Sequence, residues 1–330
     1  MSAVPAVPAV PAVPAVPAVP TATSGPAATA VRTVATADGA SLAVRTDGPE
    51  DAPVTLVLAH GWTLDASAWE RHAQELSADG RVRVVRYDQR GHGGSTGGSA
   101  RPWSIDLLGE DLARVIEETA PSGPLVLGGH SMGGMTVMAL AAARPDLFAE
   151  RVAGALLTST SAGQLDPRGR HGLPLRLRAL GHLESAFFGY CSRTAERSER
   201  IRARLPGPAG RVNPFLVKRY LYGPKAAREA VLAGARMIHA CPMTAVADWF
   251  PALMLHDKAG ALGALQGVPV EIVVGTLDQL TPVAHSRRLA EELPEAKLEI
   301  EPGCGHMLLL ERPEAVVGPL RRLCAGALAD

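Results

Sequence analysis

The stretch LVLGGHSMGGMTVMALAAARP, residues 125–145, changes its apolar period half-way along. LVLGG reads as a strand buried on both faces and MTVMALAAA as a helix, with the small polar Ser131 between glycines at the joint. Glycine fills 34 of 330 positions, so a G-x-S-x-G match carries little by itself and its setting has to decide. A tight strand-to-helix corner would force Ser131 into a strained turn and lift its Oγ above the sheet, while Gly129 and Gly133 let the backbones approach. The helix that starts behind it would aim its first amides, that of Met132 foremost, at an oxyanion formed on an attacked carbonyl.

Working outward, the same kind of run recurs: TLVLAHG (55–61), VRVVRYDQRG (82–91), VAGALLTSTS (152–161), VPVEIVVGTLD (268–278) and AKLEIEPGCGH (296–306). Each ends in a glycine-rich or polar loop, as strands buried on both faces do. VRTVAT and SLAVRT, around Ala37-Asp38-Gly39, read as a hairpin at the sheet edge. Helical stretches lie between: SAWERHAQELSAD, SIDLLGEDLARVIEETA, SRRLAEELP and PEAVVGPLRRLCAGALA. The economical solution is an α/β fold of parallel strands with crossover helices on both faces. The predicted core covers residues 31–163 and 266–330, interrupted by a mostly helical insertion over 164–265 that lacks a convincing strand. Residues 3–20 are six AVP triplets, and proline at every third position forbids helix and sheet, so 1–30 reads as a disordered tail.

A chain that is 47% hydrophobic and 20% charged can bury a substantial core. Its 33 basic and 33 acidic residues cancel, which gives no global field for nucleic acid or an anionic membrane. Cys191, Cys241, Cys304 and Cys324 stand far apart, and neither a disulfide framework nor a metal site is expected. There is no run of about 18 uncharged apolar residues and no secretory-type start, so the cytoplasm is the expected location. The oligomeric state is not legible.

A serine hydroxyl is a poor nucleophile at neutral pH and needs a base that an acid orients. Two later strand ends offer them: Asp278 follows EIVVGTLD and His306 follows EIEPGCGH. The loop after GALLTSTS has no carboxylate before Asp166, which favours Asp278 as the acid. A second oxyanion donor is expected from HGW (60–62), where Gly61 permits a sharp turn and the amide of Trp62 can face Ser131. His60 and His92 are expected to fix loop geometry and His130 to line the site. Asp257 and His256 are candidates for substrate contact, with helix capping as the plainer role. Trp103, Phe187, Phe188, Tyr190, Tyr220, Tyr222, Trp249 and Phe250 are candidates for an acyl pocket, with packing as the default, so no substrate-binding residue is assigned.

HGW (60–62), YDQRGHGGS (87–95), GHSMGG (129–134), GTLDQLTP (275–282) and GCGHMLLLERP (303–313), in that order, resemble the α/β-hydrolase superfamily, in particular its serine esterase and monoacylglycerol-lipase-like branch. The resemblance covers about residues 31–327. It implies an eight-stranded, mostly parallel sheet, a helical cap between the sixth and seventh strands, and a Ser131-Asp278-His306 triad with no metal or organic cofactor. Epoxide hydrolases and haloalkane dehalogenases of this fold use aspartate where Ser131 stands. The expected activity is therefore hydrolysis of a small-molecule carboxylic ester. A thioesterase, lactonase, acyltransferase or perhydrolase would use the same triad. A ligand-binding relative with a partner recruited by the AVP tail is the alternative from another class, though such proteins usually lack a triad member.

Overall fold

The computed structural model describes residues 31–165 and 214–329, together with Tyr190, Thr194, Arg197, Glu199 and Arg200. Eight strands form one sheet: β1 (Val31–Ala35), β2 (Ser41–Asp47), β3 (Val54–Ala59), β4 (Val82–Tyr87), β5 (Leu125–His130), β6 (Val152–Thr158), β7 (Val270–Gly275) and β8 (Lys297–Glu301). Their order is β1-β2-β4-β3-β5-β6-β7-β8. β1 runs antiparallel to β2 and β2 to β4; all other pairs are parallel. The hairpin at the edge and the mostly parallel sheet are as the apolar runs predict.

Helices α1 (Glu70–Ser77), α2 (Ile105–Thr119), α3 (Met132–Ala143) and α4 (Pro145–Arg151) precede or flank β6. After it come α5 (Pro214–Leu221), α6 (Arg228–Ala240), α7 (Met243–Leu255), α8 (Val283–Glu292), α9 (Leu308–Glu311) and α10 (Glu314–Ala327). The pleat sends alternate strand residues to opposite faces, and two cores result. Val57, Val85, Leu127 and Leu157 meet α2, α3 and α8 on one face; Leu56, Val84, Val126 and Leu156 meet α1 and α10 on the other. α2 shows why these segments are helical. Ser104 caps it by accepting the amide of Leu107 at 3.2 Å, and Leu108, Leu112, Val115 and Ile116 recur on the buried face.

The expected insertion over 164–265 falls partly outside the described residues. Within them it holds α5, α6, α7 and a 3-10 stretch (Ala259–Leu265). The AVP tail, Asp166, Phe187, Phe188 and Cys191 also lie outside the described residues. No single described helix is long and apolar enough to cross a membrane.

Arg90, fully buried, ties the edge hairpin to the body of the fold. Its guanidinium binds Asp111 of α2 through Nε and Nη2 at 2.8 and 2.6 Å, and Asp38 of the hairpin turn through Nη1 and Nη2 at 2.6 and 3.0 Å. Such forked, charge-assisted pairs satisfy a charge that burial alone would make costly. The Arg90 carbonyl also accepts the indole N–H of Trp249 at 3.0 Å, which joins α7 to the same loop.

Several histidines are buried beside these elements. Burial pushes His72 and His256 down to about 4 and His92 and His130 down to about 3. They are neutral in the folded chain but take up protons below about 6.5 when unfolded, so stability falls as pH drops from there toward 4 and 3. The urea midpoint is expected to be lower at pH 5 than at pH 7. Neither ring nitrogen of His72 has a partner among the described residues, so His72→Leu should flatten the slope of unfolding free energy by up to about 1.4 kcal/mol per pH unit. Equal slopes in the two proteins would refute the assignment.

Candidate active site

β5 ends at His130 and α3 starts at Met132, leaving Ser131 alone at the corner with φ 54° and ψ −117°. A left-handed φ costs a non-glycine residue about 1–3 kcal/mol and survives only where neighbours over-determine it. They do so here. The Ser131 amide donates to the Thr158 carbonyl at 2.9 Å, and the Ser131 carbonyl accepts the amides of Gly134 (2.9 Å) and Met135 (3.2 Å) and the Thr160 hydroxyl (2.7 Å).

The close approach needs glycine at two positions. A Cβ on Gly129 would collide with the Gly133 backbone, and one on Gly133 with the carbonyl of Ala59 in β3. Because both obstacles are backbone, Gly133→Ala is expected to lower stability by at least about 1–3 kcal/mol, read from the thermal or urea midpoint. A midpoint equal to wild type would show that β3 and α3 yield freely.

The loops after β7 and β8 bring their side chains to this corner. His306 Nε2 stands 3.0 Å from Ser131 Oγ, and His306 Nδ1 stands 2.9 and 3.0 Å from the two oxygens of Asp278. Asp278 is 5% exposed. Its Oδ1 accepts the amides of Leu280 (3.0 Å) and Thr281 (2.9 Å), and its Oδ2 accepts the Thr281 hydroxyl (3.0 Å). Burial pushes the Asp278 carboxyl up, but His306 and the Thr281 donors outweigh it and hold the group below the usual carboxylate range. An ionised carboxylate only accepts, so Nδ1 of His306 carries the proton and the Nε2 lone pair faces the Ser131 hydroxyl.

Met132 is the first residue of α3, where amides have no acceptor within the helix. The HGW loop lies directly against the corner: a Cβ on Gly61 would stand 2.7 Å from His130 Nδ1 and 3.3 Å from Ser131 Cβ. His60 holds that loop. Its Nδ1–H donates to the Gly61 carbonyl at 2.7 Å while Nε2 accepts the Gln89 amide at 2.8 Å. His92 does the same one layer out, accepting the Thr63 amide at 3.2 Å and donating to the Arg90 carbonyl at 3.0 Å.

Residues 56–318 match the model of the alpha/beta hydrolase family. The chain is an alpha/beta hydrolase. Over 294 residues it is 29% identical to the bifunctional esterase/perhydrolase of Acinetobacter calcoaceticus, covering 86% of this chain and 95% of that protein. It is 26% identical over 290 residues to a putative carbamate hydrolase of Caulobacter sp. strain K31, covering 86% and 94%. Among solved structures, a thermophilic esterase from Thermogutta terrifontis superposes with a TM-score of 0.69 at 25% identity, covering 91% of the hydrolase and 99% of the esterase.

Other candidates of the hydrolase fall into packing roles. His256 is the C-cap of α7 and its Nε2 meets the Ser161 carbonyl at 3.0 Å; Asp257 accepts the Ala259 amide at 3.3 Å and bridges Gly163. Trp103 and Trp249 stack at 4.7 Å inside the core, Tyr222 donates its hydroxyl proton to the Ala230 carbonyl, and Tyr190 and Tyr220 are exposed. Phe250 of α7 packs 6.2 Å from Trp62, beside the HGW loop. Sequence reasoning missed Thr160 and Thr281, which hold the backbone of Ser131 and the carboxylate of Asp278. Their signals were the hydroxyl-rich TSTS (158–161) that closes β6 and the threonine within GTLDQLTP.

Proposed function

We propose that this hydrolase cleaves a carboxylic ester by acyl transfer through Ser131. The observation that carries the reading is the continuous chain of hydrogen bonds from Ser131 Oγ through His306 to Asp278. His306 Nε2 takes the hydroxyl proton as Oγ attacks the ester carbonyl carbon. The amides of Trp62 and Met132 hold the resulting oxyanion, and Asp278 stabilises the imidazolium. When the tetrahedral species collapses, the carbon–oxygen bond to the alcohol breaks and His306 protonates the leaving oxygen. Water then repeats the sequence on the acyl-enzyme: His306 takes its proton, the hydroxide adds to the acyl carbon, and Ser131 leaves reprotonated with release of the acid.

The described helices of the segment between β6 and β7, α5 to α7, act in this reading as a cap over the site. The supports are the place of these helices in the chain between β6 and β7 and the contact of Phe250 with Trp62. A second reading takes support from the Acinetobacter relative, named both esterase and perhydrolase: hydrogen peroxide replaces water as the acceptor and a peracid leaves.

Incubation with a fluorophosphonate should label the Ser131 peptide, and short p-nitrophenyl esters should show turnover. Peroxide added to the ester assay separates the acceptors, since peracid forms only on the second reading. Absence of both labelling and turnover on esters, thioesters and lactones would overturn the enzyme reading in favour of ligand binding.

A further inference from the structure

The loop that carries His306 follows β8, at the edge of the sheet, four strands away from β3 and three from β5. Its neighbours in the chain are tied down one by one. The Gly303 amide donates to Thr276 Oγ1 at 2.8 Å, the Cys304 carbonyl accepts the Leu277 amide at 2.8 Å, the Gly305 amide donates to Glu311 at 2.9 Å, and the Met307 amide donates to the Leu221 carbonyl at 3.0 Å. These ties lead to the β7–α8 loop, to α9 and to α5. None of them starts on β5, the strand that presents Ser131.

One further tie does. His130 Nε2 lies 2.9 Å from the backbone carbonyl of His306, and the two rings pack at 5.0 Å. His130 is 1% exposed, and its ring is pressed between His306 and Gly61, where no Cβ fits. A carbonyl only accepts, so Nε2 of His130 carries the proton and Nδ1 is the bare nitrogen. That agrees with Nδ1 having no partner among the described residues. Burial pushes His130 down to about 3, so the imidazole is neutral and takes no part as a proton carrier at ordinary pH.

We propose that His130 is a positioning residue for the reaction: by donating Nε2–H to the His306 carbonyl from the position next to Ser131, it sets the distance between nucleophile and base. The inference rests on the proposed acyl-transfer role of Ser131 and His306. An error of about 1 Å in such a pair costs on the order of 10²-fold in rate. Apart from the contact between the reacting side chains themselves, the backbone ties of the histidine loop given above run to the β7–α8 loop, α9 and α5; the His130 tie links its backbone to the residue beside Ser131.

Three variants test it. His130→Phe keeps the ring and removes the donor, His130→Gln keeps a donor at similar reach, and His130→Asn has the same amide on a shorter stem. Loss in His130→Phe is expected to be about 10- to 100-fold in kcat with KM within about threefold of wild type, and His130→Gln is expected to recover to within about threefold. A His130→Phe enzyme with wild-type kcat, a loss confined to KM, or glutamine no better than phenylalanine would overturn the proposal. Where the phenylalanine variant does not fold, the comparison of glutamine with asparagine decides: glutamine should be the more active, and equality is against the proposal. A readout independent of turnover is the 15N spectrum of His130, in which Nε2 should carry the proton; protonation at Nδ1 refutes the tie. Failure of the proposed function itself looks different, since wild type would then neither turn over ester nor label at Ser131.

Discussion

Replacing Ser131 by alanine is expected to lower kcat by about 10⁶-fold, with the unfolding free energy from urea titration within about 0.5 kcal/mol of wild type. Alanine keeps the Cβ and meets the same φ of 54°, and the interactions that lock the corner are made by the backbone of residue 131. Only Oγ is lost, and with it the bond that the proposed acyl-enzyme requires. On the proposed mechanism Ser131 and His306 act as one unit, so adding His306→Ala to the first substitution should cost almost nothing more. Residual hydrolysis above the water rate should persist from backbone oxyanion donors. The measurement is ester turnover by protein titrated for active sites, so that traces of wild type are not mistaken for residual activity. A loss below about 10³-fold would assign the nucleophile elsewhere.

Asp278→Asn should produce the second largest effect, about 10⁴-fold in kcat, for a reason that follows from the acid's own partners. Oδ1 accepts two backbone amides, from Leu280 and Thr281, so an asparagine must leave its carbonyl oxygen there. Its NH₂ group then takes the place of Oδ2, 2.9 Å from His306 Nδ1. Two donors cannot face each other. The retained oxygen, 3.0 Å from Nδ1, is already taken by the two amides, so the arrangement favours the tautomer with the proton on Nε2, where on the proposed mechanism it can no longer receive one from Ser131. The prediction is checked by kcat together with the rate of fluorophosphonate labelling, both of which should fall; a loss under tenfold would show that the imidazole tautomer does not depend on Asp278.

The strands of this fold were legible because most are sealed on both faces. VTLVLA, VRVVRY, LVLGGH and VEIVVG are apolar or buried throughout, and each run falls where a strand stands. The sheet's order was not legible from pattern, since adjacency of β4 to both β2 and β3 depends on crossovers whose direction no single run records. Helix α4 was missed although Pro145 opens it: its seven residues show too little of a 3.6-residue period to stand out. At the site, Ser131, Asp278 and His306 could be picked out because each follows a strand in a motif, although only β5 and β7 are buried throughout and β8, at the sheet edge, is part-exposed. Thr160, Thr281 and the tie from His130 could not, because they act on groups distant in sequence or on backbone, and only folding brings those within reach.

The pairing of Arg90 with Asp38 bears on how this enzyme can be shortened or fused. A guanidinium in a dry interior keeps its charge and must have oxygen around it. Trimming the leading end past Asp38 would strip one carboxylate from that cation and leave the surviving one, Asp111, to compensate alone. Any engineered version should therefore begin ahead of Thr36, and a tag or partner domain grafted inside the first turn would weaken the protein far from where it was attached.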